Sequence, residues 1–304
     1  MQIINEQEDG FSNLDLLAQQ VVEGFITGLH QSPFHGFSVE FSEHRLYNAG
    51  ESVKSIDWKL YAKTEKLFSK RYEEETNLRC QFVLDVSSSM YFPNGPNNKL
   101  RFSILAIAAL IKLLRRQRDA FGLSIFTDHL LVSTDTKSTL SHQRYLFAEL
   151  ERVFKERMQN RKTDLTQILH QIAELVHKRS LIVLFSDMLQ SYNAEAEIDR
   201  MFTALQHLKF NKHEVIIFNV SDKQKEIDFN FGNHRYEFID LETGGRITTF
   251  TTDIKRQYAS RIRDYYKALQ LKCARYKIDL IDVDIQQNVD QVLEKYLIKR
   301  KRMG

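Results

Sequence analysis

From Cys80 onward the chain repeats one pattern: a short, mostly apolar run, a polar turn, then a stretch of helical period. The runs are QFVLDV (81–86), FGLSIF (121–126), SLIVLF (180–185), EVIIFNV (214–220) and KIDLIDV (277–283). Strands apolar along their whole length are buried on both faces, and such strands belong to a parallel sheet with helices packed on each side. The class is therefore α/β, doubly wound and mostly parallel. The intervening stretches 99–117, 142–156, 164–178, 193–209, 252–275 and 287–299 have the apolar spacing of helices. Two departures are expected. LLVS (130–133) follows FGLSIF across a Thr127-Asp128-His129 turn, and FIDLETGGRITTF (238–250) turns back on itself, so both read as antiparallel hairpins.

Upstream the pattern is less regular. Leu14, Leu17, Val21, Val22, Phe25 and Leu29 recur at helical spacing, residues 34–41 have a strand-like period, and 67–72 are a further strand candidate. Residues 1–78 are read as a smaller α+β region packed on a main domain of residues 79–304. Trp58, the one tryptophan, is expected to fill the boundary.

Composition narrows the function classes. A chain of 304 residues with 42% hydrophobic and 27% charged residues is an ordinary globular protein. A net charge of +3 without a basic stripe gives no reason to expect nucleic acid. Cys80 and Cys273 are too far apart in sequence to suggest a C-x-x-C zinc or redox pair. The N-terminus MQIINEQEDG lacks the features of a secretory signal, and the longest apolar stretch, Ile104–Ile111, is too short for a membrane span. A cytoplasmic protein without a membrane span is expected.

In an open α/β sheet, ligands bind beyond the carboxyl ends of the strands, where the strand order reverses. The first run ends in Asp85-Val86-Ser87-Ser88-Ser89, the run 180–185 is followed by Ser186-Asp187, and Thr163 lies at the start of a helix between them. Alternate spacing lets one turn aim Asp85, Ser87 and Ser89 at a single point. Thr163 would add a hydroxyl and Asp187 a second carboxylate. These are hard oxygen donors of the kind that Mg²⁺, Mn²⁺ or Ca²⁺ takes. At its strand end, Asp85 is expected to face solvent. Asp164 is an alternative to Thr163, with Thr163 then serving only as a helix cap. D-x-S-x-S is short, and the same residues also form Asx turns and caps without metal.

The set Asp85-x-Ser87-x-Ser89, Thr163 and Asp187 resembles the metal-ion-dependent adhesion site of von Willebrand factor A domains. The stretch from Arg45-Leu46-Tyr47-Asn48-Ala49-Gly50-Glu51 to Ile56-Asp57-Trp58, with Tyr72-Glu73-Glu74-Glu75 and FIDLE (238–242), is similar to the bacterial domain-of-unknown-function fifty-eight family. The resemblance covers about residues 30–300. It implies a von Willebrand A-like sheet of order 3-2-1-4-5-6 with one divalent ion between strands one and four. Two carboxylates with several neutral hydroxyls should leave the ion open to a partner's acidic side chain as its last ligand, a non-enzymatic role, and the resemblance implies a MoxR-type AAA+ ATPase as the associated machine. Ser186-Asp187-Met188 stands where many such domains have Thr-Asp-Gly, and no glycines precede Thr163.

Catalysis is the rival class. A phosphatase with an aspartyl nucleophile at Asp85 would want a second acid nearby, and position 87 is serine. A two-metal nuclease needs more carboxylates than Asp85 and Asp187. G-x-x-x-x-G-K-[ST], G-x-G-x-x-G and G-x-S-x-G motifs are all absent. A structural subunit with a vestigial site is the third possibility.

Overall fold

The computed structural model describes residues 13–31, 44–46, 61, 68–70, 78–156, 164–189, 195–241 and 244–303. Thr163, Trp58 and the strand expected at 34–41 lie outside these residues.

The chain divides into two compact units, Met1–Ile26 with Leu78–Gly304, and Thr27–Asn77. The smaller holds a two-stranded antiparallel sheet of β1 (His44–Leu46) and β2 (Phe68–Lys70). One edge of this division lies at 77/78, a residue before the expected boundary at 78/79, and the other falls within α1 (Leu14–Gln31). Leu14, Ala18 and Val22, one helical turn apart, are fully buried. Asp15 meets Lys112 Nζ at 3.0 Å and accepts from Gln143 Nε2 at 3.0 Å, and Gln19 accepts from Lys112 at 3.1 Å. The opening turns of α1 thus belong to the larger unit, tied there by an apolar stripe and by the acid that neutralises Lys112.

The larger unit is built on a six-stranded sheet. Its strands are β3 (Arg79–Asp85), β4 (Ala120–Phe126), β5 (Leu130–Ser133), β6 (Leu181–Ser186), β7 (Glu214–Ser221) and β10 (Asp279–Asp284). They lie in the order β5-β4-β3-β6-β7-β10, which counted along the sheet's own strands is 3-2-1-4-5-6. All neighbours are parallel except β4 and β5, the expected hairpin. The second hairpin, β8 (Arg235–Ile239) with β9 (Arg246–Phe250), forms a separate two-stranded sheet.

Side chains alternate across the sheet and fill two layers. Val83, Ile182, Leu184, Val215 and Ile217 join a core with α4 (Leu165–Leu175), α5 (Glu195–Phe210) and α6 (Thr251–Arg275). Their neighbours along each strand, including Phe82, Phe185 and Phe218, point to the opposite face. Phe185 and Phe218 stack there with centroids 4.8 Å apart. α2 (Lys99–Arg116) is buried along Leu100, Phe102 to Ile104 and Ala106 to Leu114, which explains its apolar run. It packs on the sheet, on α3 (Leu140–Glu156) and on α7 (Asp290–Met303). Asn98 caps α2 by accepting from Arg101 N at 2.8 Å, and Arg115 and Arg116 complement the dipole of its last turn. Among the described residues no helix is long and apolar enough to cross a membrane.

Gly122 in β4 has no room for a side chain. An added Cβ would lie 2.3 Å from Gln81 Oε1 and 3.0 Å from the carbonyl of Thr134.

Candidate functional site

β3 is flanked by β4 on one side and β6 on the other, so the crevice between the carboxyl ends of β3 and β6 is where the strand order reverses. Asp85 ends β3, Ser186 ends β6, and Asp187 follows. The chain leaves β3 through Val86, whose N–H bonds Phe126 O at 2.9 Å, and then tightens into a 3-10 turn at Ser88–Tyr91. That turn brings the alternate hydroxyls to one side. Ser87 Oγ and Ser89 Oγ are 3.1 Å apart, and Ser89 lies near enough to Asp187 to help lower its pKa. Asp85 accepts from Ser87 N at 2.9 Å through Oδ1 and from Ser186 Oγ at 2.8 Å through Oδ2. Asp85, Ser87, Ser89 and Asp187 therefore come together at this crevice.

One expectation about these residues needs revision. Asp85 does not face solvent: it is 1% exposed, because the turn and Ser186 close over the strand end. Asp164, the alternative to Thr163, is the N-cap of α4, its Oδ1 accepting from Gln167 N at 3.0 Å. Its own N–H approaches Thr127 O at 3.4 Å, which sets the start of α4 beside the end of β4.

A further residue, which spacing did not reveal, dominates the electrostatics. Lys99, the first residue of α2, is fully buried, with Nζ 2.8 Å from Asp187 Oδ2 and 2.5 Å from Glu226 Oε1. The loop 91–98 delivers it. Lys99 N bonds Phe92 O at 3.1 Å, Asn98 Nδ2 bonds Gly95 O at 3.2 Å, and the Phe92 ring lies 5.8 Å from the Lys99 ammonium and 5.9 Å from that of Lys225. Glu226 lies in a π-helical turn, Lys223–Ile227, just beyond β7. Its Oε2 accepts from Asp222 N at 2.7 Å, and Tyr258 Oη donates to its carbonyl at 2.8 Å.

The charges respond to this packing. Burial, reinforced by the neighbouring Asp187 charge, pushes Asp85 up to about 6 against the hydrogen bonds it accepts. Burial would also raise Asp187, but Lys99, Ser89 and Leu189 N together hold it below the usual carboxylate range. Burial works against the Lys99 ammonium, and the two carboxylates outweigh it and keep it charged. Glu226 is raised by burial and by Asp187, with Lys99 opposing.

The donors suit a hard divalent cation. Two ligands at about 2.1 Å and at right angles lie about 3 Å apart, the spacing of the two serine hydroxyls. Among the described residues no three His, Cys, Asp or Glu side chains form a metal-binding group, so a cation here would rest on hydroxyls as much as on carboxylates. Lys99 does not suit a second cation, since it already neutralises Asp187.

A family model described as "Protein of unknown function DUF58" matches residues 43–293. Over 180 residues the chain is 23% identical to the uncharacterized proteins Rv1480 of Mycobacterium tuberculosis and Mb1516 of Mycobacterium bovis, covering 59% of this chain and 56% of each relative. The chain thus spans just over half the length of the curated relatives it matches. Among solved structures it is similar to BatB from Bacteroides thetaiotaomicron, with 13% identity and a TM-score of 0.45 over 74% of this chain and 99% of that one. It is also similar to a von Willebrand factor type A protein from Catenulispora acidiphila, with 12% identity and a TM-score of 0.35 over 48% and 34% of the two chains.

Proposed function

The chain belongs to the DUF58 family, and we propose that it is a protein-interaction module that docks a partner's carboxylate on a divalent ion, Mg²⁺ in the first instance. The observation that carries this reading is the convergence of Asp85, Ser87, Ser89 and Asp187 at the crevice where the strand order reverses. These four side chains, with Thr163 as a fifth, would hold the ion. The ion would supply an electrophilic position at which an acidic side chain becomes the last ligand. A MoxR-type AAA+ ATPase, or a protein such an ATPase remodels, is the partner suggested by the family resemblance.

Binding is favoured over turnover by the donor set, whose hydroxyls leave too few carboxylates for a second ion.

The test is co-purification of the neighbouring ATPase with wild-type and Asp187→Ala protein, each in Mg²⁺ and in EDTA. The complex should survive only for wild type in Mg²⁺. Equal recovery in all four conditions would place the contact elsewhere and end the metal reading. Turnover of generic phosphoesters by the metal-loaded protein would favour the hydrolase instead.

A further inference from the structure

The residue that sets how readily this site takes a cation is itself a cation. We infer that Lys99 is a resident competitor for the metal site, its ammonium occupying Asp187 whenever a divalent ion does not. The inference rests on the metal reading above and adds to it a residue that controls affinity.

Three observations carry it. Asp187 Oδ2, an expected metal ligand, is 2.8 Å from Lys99 Nζ, and Lys99 is fully buried, so no solvent screens the ammonium from a second cation. The backbone of Lys99 is pinned by Asn98 at the cap, by Phe92 O on its N–H and by Ser103 Oγ on its carbonyl, so the side chain has a fixed origin. Finally, Lys99 has a second anchor that does not depend on Asp187. Glu226 Oε1 lies 2.5 Å from Nζ, and Glu226 is itself held by Asp222 N and Tyr258. When Asp187 turns to a divalent ion, Lys99 keeps a carboxylate partner where it already sits. The exchange therefore leaves no buried ammonium unpaired, which is the usual obstacle to such a swap.

This arrangement predicts changes of opposite sign at the two ends of one ion pair. Lys99→Met removes the competitor and should tighten Mn²⁺ binding by about tenfold or more. Glu226→Gln leaves Lys99 with Asp187 alone and should weaken Mn²⁺ binding. A purely structural role for the pair would shift both variants in the same direction. The measurement is titration of the full chain with Mn²⁺ alone, by calorimetry and by the spin-resonance signal of free Mn²⁺, with Asp187→Asn as the control for the site. Unchanged or weaker binding in Lys99→Met, with normal binding in wild type, overturns the competition and leaves the metal reading standing. Binding in Lys99→Met but not in wild type supports the competition and ends the native metal dependence. Absence of binding in every protein overturns both. If Lys99→Met does not fold, Lys99→Met/Glu226→Gln removes the pair without stranding the Glu226 charge. It should bind Mn²⁺ more tightly than wild type, and equal or weaker binding overturns the competition.

Discussion

Lys99 Nζ lies 2.8 Å from Asp187 Oδ2, so the first residue of α2 is bonded to the residue that follows β6, 88 positions later in the chain. One buried ammonium thereby joins the helix after the first sheet strand to the edge of the expected cation site, and through Glu226 to the end of β7.

Removing that ammonium alone should cost stability. Lys99→Met leaves Asp187 and Glu226 buried without their shared counter-charge, and breaking a buried pair from one side typically costs about 3–5 kcal/mol. The double change Lys99→Met/Glu226→Gln should recover part of the loss. Urea unfolding of the three proteins, in chelator, measures both steps. Equal stability of wild type and Lys99→Met would mean that the pair contributes nothing.

The cap on α4 separates two readings of the Thr163-Asp164 pair. Asp164 accepts from Gln167 N at 3.0 Å, and replacing an N-cap acid by alanine costs about 1 kcal/mol. Asp164→Ala should therefore lower the melting temperature slightly and leave Mg²⁺ stabilisation intact. Thr163→Ala should do the reverse. Loss of the Mg²⁺ response in Asp164→Ala, with retention in Thr163→Ala, would exchange their roles.

His213 gives the protein a pH dependence of known sign. It is 1% exposed, Nδ1 accepts from Ser180 N at 3.2 Å, and burial holds its pKa below the ordinary value. As pH falls through 6.5 the unfolded chain gains a proton there that the folded chain refuses. The stability present above that pH is lost progressively below it. Wild type should lose more stability than His213→Gln between pH 7.5 and 5.5, measured as the urea midpoint. Parallel losses would assign the slope to other groups.

The strands were legible because burial on both faces writes itself into the sequence as an unbroken apolar run, as in Leu181–Phe185. The ends of helices were less so. α4 stops at Leu175, short of residue 178, because Val176 adopts an extended backbone, and Arg179 then turns with positive φ. α7 begins at Asp290, after the bonds Ile285 N to Ser221 O and Gln287 N to Asp284 O have formed a turn. Asp85, Ser87, Ser89 and Asp187 could be read because they lie at or within a few residues of the carboxyl ends of β3 and β6, where the fold class says ligands gather. Lys99 and Glu226 follow no such rule, being 127 positions apart and joined only by the fold. One local sign was available: a lysine in the first turn of a helix opposes the dipole, which favours acids there, and needs a compensating partner.

The environment of Asp85 favours its neutral form in the absence of a cation. Burial and the charge of Asp187 raise its pKa, so at pH 7.5 the ionised carboxylate destabilises the fold. Asp85→Asn removes that charge while keeping an oxygen for Ser87 N and placing an amide beside Ser186 Oγ. Each unit by which such a pKa is raised corresponds to about 1.4 kcal/mol, so the rise from 3.8 to about 6 should make the variant more stable than wild type in EDTA by up to about 3 kcal/mol. In saturating Mg²⁺ the order should reverse. A ligand at a thousand times its dissociation constant stabilises by about 4 kcal/mol, and Asp85→Asn would gain little of it. Melting curves of the two proteins in EDTA and in Mg²⁺ should therefore cross over. Curves that keep the same order in both conditions, with wild type unmoved by Mg²⁺, would show that Asp85 is a structural turn residue and that no cation draws on its charge.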